Sequence, residues 1–294
     1  MTRRRCAHRS RANVAVGGRL VAAALALVLA GCGSARPPQN PSQQGANTAA
    51  QAAARAWSRG DAVQARALYE RALAAAESVE DFDLAGAMLL NLALVQSSAG
   101  DLAGAHARVD RILAAPQRYG ATQASRAAAR KALLYLDAPD LDAALSWADH
   151  AQAACGSPCA LDATLGNVRA HVALQRGDVP GAVQWATRAA AQATPESAEQ
   201  ANALRLLGRA QVQQSQHEAA ATALAQALAI DRKLGLSDRV ALDLTAAADN
   251  EAARGQSAAA REYYERAIDV HRAAGRKDAA EDVRKRLAAL PAAR

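Results

Sequence analysis

Apolar residues along most of this chain fall at helical spacing, and no strand-like alternation bounded by turns stands out. In 204–211, Leu204, Leu207, Gly208 and Gln211 lie at i, i+3, i+4 and i+7, one face of a helix. The stretch GDAVQARALYERAL (60–73) reads as a turn followed by a helix, with Ala65, Tyr69 and Ala72 at helical spacing. GQSAAAREYYERAI (255–268) answers it with Ala260, Tyr264 and Ala267, at an offset of 195 residues, five steps of 39. Intermediate echoes fall at Gly100-Asp101, Pro139-Asp140, Gly177-Asp178 and Ser215-Gln216, giving steps of 40, 39, 38, 38 and 40 residues. Five residues after each turn begins stands an alanine: Ala65, Ala105, Ala144, Ala182, Ala220 and Ala260. Seven further on come Ala72, Ile112, Ala151, Ala189, Ala227 and Ala267. A motif returning at near-equal steps predicts stacked helix-turn-helix units joined by longer connections such as ESVEDFD (77–83). Thr194-Pro195-Glu196 is read as the cap, proline and acidic first turn of one such helix.

Composition supports the same class. Half of the 294 residues are apolar but only 3 % are aromatic, so alanine and leucine, the best helix formers, must supply most of the core. The expected fold is all-α, an α-solenoid of about six repeats. The helix DAAEDVRKRLAAL (278–290), with Ala280, Val283, Leu287 and Leu290 on one face, is expected to cap its end. A basic amphipathic helix at a membrane surface is the alternative there; the interleaved Glu281 and Asp282 oppose it.

The first residues belong to targeting rather than fold. Six arginines between Arg3 and Arg19 precede the apolar run 20–30, too short for a span of ~20 residues but fitting a secretory signal. Leu29-Ala30-Gly31-Cys32 resembles the lipobox of bacterial lipoproteins. That resemblance implies cleavage before Cys32, acylation of its thiol and, with Gly33 and Ser34 following, an address at the outer membrane facing the periplasm. An ordinary signal peptide or an uncleaved anchor are the alternatives. Residues 33–47, rich in Pro, Gln, Ser and Gly, read as a flexible tether holding the body roughly 20 Å from the membrane. The expected organisation is a signal peptide over 1–31, a lipidated tether over 32–46, the solenoid over 47–275 and a capping helix and tail over 276–294.

Removing residues 1–31, with six arginines and no acids, takes the net charge from +7 to +1. The basic balance is therefore a property of the leader, and no retained basic face points to nucleic acid. Of four cysteines, Cys6 leaves with the leader and Cys32 is the lipid site. Cys155 and Cys159 remain in CGSPC, where an exported protein forms a disulfide. Gly156 is placed at a helix end and Ser157-Pro158 at the next helix start, so the bridge would staple an inter-helix turn, contributing about 2 kcal/mol for so short a loop. A redox centre is the competing reading, though such centres usually space the cysteines by two residues; two thiols alone do not make a metal site.

Leu204-Leu207-Gly208 with Ala220-Leu224-Ala227, and the two Ala-Tyr-Ala triplets, resemble the tetratricopeptide repeat, over about 47–272. The step exceeds that family's 34 residues and resembles the extended-helix variant of kinesin light chains. Repeats three and four depart from the pattern, with Ala148 and Ala186 at the aromatic position and Trp147 and Trp185 one place earlier. The resemblance implies a concave groove lined by the first helix of each repeat and used to bind other proteins. By that analogy the groove presents Asn167, His171, Asn202, Arg205, Arg209, Thr245 and Asp249, with Leu90 and Leu94 toward the amino end. Arg205 and Arg209, at i and i+4, share a face suited to gripping a carboxylate or acidic segment. The alternative is a solvated face with Arg209 paired to Asp249.

No Gly-rich phosphate loop, His-Glu-x-x-His or Gly-x-Ser-x-Gly motif occurs, and the histidines scatter among unrelated repeat positions. No catalytic activity, cofactor or metal is expected. The expected partners are other envelope proteins, with the membrane reached through the N-terminal lipid; a periplasmic binder of an acidic or peptidic ligand is the second reading.

Overall fold

The computed structural model describes residues 40–138 and 140–291. The expected signal peptide, Cys32, tether residues 32–39 and Pro139 lie outside the described residues. Among those described, thirteen helices and no strand occur. They form six pairs: α1 (Pro41–Ser58) with α2 (Ala62–Glu77), α3 (Phe82–Ser98) with α4 (Leu102–Leu113), and α5 (Pro116–Asp137) with α6 (Leu141–Cys155). The series continues with α7 (Asp162–Gln175) and α8 (Val179–Gln192), α9 (Ala198–Gln213) and α10 (His217–Lys233), then α11 (Ser237–Ala253) and α12 (Ser257–Ala273). A last helix, α13 (Lys277–Ala288), packs on α12 through Ala280, Val283 and Leu287. No helix among the described residues is long and apolar enough to cross a membrane.

Each intra-repeat turn ends on an N-cap. Asp61, Asp101, Asp140 and Asp178 accept the backbone N–H three residues on at 2.9, 2.9, 3.0 and 3.0 Å, a cap worth ~1 kcal/mol. Gln216 and Gln256 hold the same place without a side-chain bond. Before five of the caps the residue takes a left-handed conformation: glycine at Gly60 (φ 81°), Gly100, Gly177 and Gly255, and serine at Ser215 (φ 58°).

Small residues set the seam between paired helices. The six alanines that open the second helices, Ala65 through Ala260, have no solvent exposure. Facing them, eight residues before each cap, stand Ala53, Ala93, Ala132, Ala170, Gly208 and Ala248, all buried. Gly208 is a close approach: a Cβ there would lie 2.6 Å from Leu224 Cγ and 3.3 Å from the Ala220 carbonyl oxygen. In repeats three and four, buried Ala148 and Ala186 occupy the seam where the other repeats place bulkier groups. Gly166 lets α7 approach α8, since a Cβ would meet Ala189 Cβ at 2.9 Å. Trp147 and Trp185 turn instead onto cations of their own first helix, with Lys131 Nζ 4.5 Å from one ring centroid and the Arg169 guanidinium 5.1 Å from the other. The 38–40-residue period reappears in the ties between repeats, as in Arg108 to Glu70 at 3.1 Å, Gln123 to the Asp83 carbonyl at 3.1 Å and Arg276 to Ser237 at 3.3 Å.

Three local expectations are corrected. The first helix begins at Pro41, inside the segment read as tether. Asn40 caps it (Oδ1 to Gln43 N–H, 2.7 Å), Pro41 opens its first turn, and Ala46 is fully buried. Ser157 and Pro158 do not start α7, which begins at Asp162; the chain first closes the Cys155–Cys159 ring, and Leu161 N–H then points at Cys159 Sγ. Thr194 does not cap α9. Ser197 does, accepting Gln200 N–H at 3.2 Å, while Gln200 Oε1 accepts Glu196 N–H at 2.8 Å.

Candidate functional site: the groove of the first helices

Curvature follows from which helices touch. The first helices α3, α5, α7, α9 and α11 pack on one another in sequence, whereas no two second helices form a packed pair. The first-helix layer is therefore the shorter, inner one, and its free face is concave.

The predicted groove residues divide into two groups. Asn167 is buried, and its Nδ2 donates to the Glu199 carbonyl at 3.0 Å, tying α7 to α9 rather than facing a ligand. Arg205 is buried too: its Nη1 donates to Asp231 at 3.1 Å and to Asp243 at 2.6 Å, and its Nη2 to Asn202 at 2.8 Å. Neither Asn167 nor Arg205 is available to grip a partner, and Asn202 is held by Arg205. Thr245 donates back to the Ala241 carbonyl of its own helix. Leu90 and Leu94 are half-buried on α3, and Leu90 packs against the amino-terminal core.

What stays open is a row on successive first helices: His171 on α7, Arg209 on α9, Asp249 on α11 and Arg286 on α13. Asp249 is not the partner of Arg209. It accepts the Tyr264 hydroxyl at 2.5 Å and both of its oxygens accept from Arg286 Nη1, at 3.2 and 2.9 Å. Burial, with the Asp249 charge adding to it, raises the Tyr264 pKa. Arg209 keeps solvent access and makes no ion pair within 4 Å among the described residues. The concave wall still strips part of its hydration, and that desolvation pushes its pKa down against the opposing pull of Asp249. His171 lies next to it: burial first, then the Arg209 charge, lower its pKa, so the ring is held neutral. The row thus presents a neutral imidazole and an unpaired guanidinium beside a satisfied Tyr-Asp-Arg cluster. Sequence reasoning found His171, Arg209 and Asp249 but missed Tyr264, Arg286, Asp231 and Asp243. The signal for Arg286 was there, 37 residues beyond Asp249 and near the repeat step.

The two cysteines of CGSPC are joined, Cys155 to Cys159, at the end of α6. No cluster of three or more potential metal ligands occurs among the described residues.

The tetratricopeptide repeat profile matches residues 161–233, which hold α7 to α10. Those four helices match that repeat, and the fold of the whole chain is a helical-repeat solenoid. Its fold is similar to a chain of the APC/C hetero-tetramer Cut9–Hcn1, with a TM-score of 0.64 at 16 % identity over 85 % of this chain and 44 % of that one. It is similar to a Rap protein complexed with competence and sporulation factor, with a TM-score of 0.62 at 14 % identity, covering 83 % and 70 %. It is also similar to PilW, a widely conserved type IV pilus biogenesis factor, with a TM-score of 0.52 at 18 % identity, covering 81 % and 97 %. The chain spans under half of the Cut9–Hcn1 chain and nearly all of PilW. No curated protein sequence matches it. Solenoids of this kind act as protein–protein interaction scaffolds through an extended concave surface.

Proposed function

We propose that this protein is a lipid-anchored scaffold that docks other envelope proteins in its first-helix groove, at the periplasmic face of the outer membrane. The observation that carries docking is the row His171, Arg209, Asp249 and Arg286, which crosses four consecutive first helices with Arg209 left unpaired. Anchoring rests on Leu29-Ala30-Gly31-Cys32 and the arginine-rich leader before it. Similarity to a pilus biogenesis factor fits a part in building an envelope assembly; secretin, outer-membrane protein and cell-wall machinery are the other assemblies such a scaffold would serve. The protein acts by holding partners, without a reaction of its own.

Arg209 favours a second reading, a binder of an acidic or peptidic ligand, since an anion would restore to its guanidinium the interactions that the groove wall has removed. What copurifies with the anchored protein, a protein complex or a small ligand, separates the two readings.

The anchor has its own test. Cys32→Ala should abolish incorporation of labelled fatty acid and move the protein from the membrane to the soluble fraction. Undiminished labelling, or membrane association unchanged by the substitution, would remove Cys32 from the account.

A further inference from the structure

Where α9, α10 and α11 meet, two carboxylates share one guanidinium. Asp231, near the end of α10, and Asp243, on α11, have no solvent exposure, and Arg205 Nη1 donates to one oxygen of each. The outer oxygens, Asp231 Oδ1 and Asp243 Oδ2, are buried with no hydrogen-bond partner. One oxygen of each carboxyl is bonded to the same Arg205 nitrogen, which brings the two groups side by side.

Among the described residues, other charges act on the pair without forming an ion pair with it. Arg239 on α11 feels both aspartates, but its Nη1 donates to the Ala198 carbonyl at 2.7 Å and its own charge is opposed by desolvation. Glu199 on α9 adds negative charge near Arg239, and Arg130 on α5 faces Glu199, Arg239 and Asp137. Arg209, one turn along α9, feels Arg205 as a like charge. On α12, His271 stands forty residues after Asp231, at the same place one repeat on, and burial lowers its pKa. With one guanidinium bonded to two carboxylates, each keeps a buried oxygen without a partner, and leaving a buried charged group unsatisfied is costly. A proton on one carboxyl removes one of the two buried charges and supplies an O–H able to donate to the neighbouring carboxylate.

We propose that Asp231 and Asp243 hold a single proton between them in the folded solenoid, and that its release to solvent loosens the joint between the fifth and sixth repeats. The cluster is thus a proton-sensing element beneath the part of the groove that carries Arg209. Burial, and the neighbouring Asp231 charge after it, raise the Asp243 pKa to about 7 against the pull of Arg205. The folded chain therefore keeps a proton that the unfolded chain releases near pH 4. The stabilisation from this proton is complete below that pH and is lost as pH rises to about 7; within the window, the cluster raises the unfolding constant up to about tenfold per pH unit.

The test is denaturant unfolding of the full chain at pH 5 and pH 7, for wild type and for Asp243→Asn, which supplies a neutral side chain of the same shape. The wild-type unfolding constant should rise up to about a hundredfold more than that of the variant between these values. Parallel pH dependences in the two proteins overturn the proposal. A second measurement does not depend on any variant folding. Carboxyl carbon resonances of native wild type, followed by NMR, should show Asp243 titrating near neutral pH. Every aspartate titrating in the ordinary acidic range overturns it as well.

Discussion

Arg205→Leu should destabilise the solenoid by about 3–5 kcal/mol at pH 8, the loss expected when one partner of a buried ion cluster is removed. Arg205 is the only cation bonded to Asp231 and Asp243, and both carboxylates are out of reach of water. Taking it away leaves both carboxylates buried without a bonded cation. The loss should shrink toward pH 5, because the Asp243 carboxyl is then protonated and one of the two charges that Arg205 opposed is gone. Arg209→Leu, by contrast, should change stability by no more than ~0.5 kcal/mol, since that guanidinium is exposed and unpaired. Urea unfolding with an unchanged slope separates a true stability loss from a change in the unfolded state. An Arg205→Leu protein as stable as wild type at pH 8 would mean that the cluster does not hold α9 to α10 and α11.

Gly208→Val is the second large effect, with an expected loss of about 1–3 kcal/mol from overpacking. The new Cβ would meet Leu224 Cγ at 2.6 Å and Cδ2 at 2.8 Å. Leu224 is itself 1 % exposed and cannot swing into solvent, and the Ala220 carbonyl blocks the other side. Adding Leu224→Ala should recover part of the loss by opening room at the contact, so that the double variant is more stable than the sum of the two singles predicts. Strict additivity in thermal or urea unfolding would contradict this packing. Gly86 is similarly enclosed: a Cβ there meets Gln123 Cγ at 2.9 Å, and that side chain is buried and bonded to Asp83.

The parts of the fold that follow local rules were legible in the chain. The turns at 60, 100, 177, 215 and 255, the six seam alanines and Gly208 each depend on residues within one helix pair, where helical spacing and backbone preference decide. The capping face of α13 was legible for the same reason. Asn40-Pro41 was misread because a cap followed by a first-turn proline has the same composition as a linker; only the burial of Ala46 separates the two. Arg205 was misplaced for a different reason. Its spacing from Arg209 puts both on nearly one side of α9, but its partners arrive from 26 and 38 residues away, on two other helices. A helical wheel carries no information about them. The groove row suffered less: His171, Arg209 and Asp249 recur at the repeat step, so the period that revealed the array also aligned its inner face. The alternative pairing of Arg209 with Asp249 failed because α13 supplies Arg286, whose two bonds to Asp249 leave that carboxylate engaged.

The structure also narrows which substitutions can probe the groove. Reversing charge at both Arg205 and Arg209 would confound docking with unfolding, whereas Arg209→Glu changes the groove wall alone. The most direct measurement places a photo-cross-linking residue at position 171, with Gln226, exposed on second helix α10, as the outer-face control. Both are expressed with Cys32 intact in the native envelope and activated by light. The account predicts a protein adduct from position 171, none from 226, and loss of the adduct when Arg209→Glu is added. Adducts from 226 alone, or an adduct from 171 indifferent to Arg209→Glu, would contradict a scaffold that works through its concave face.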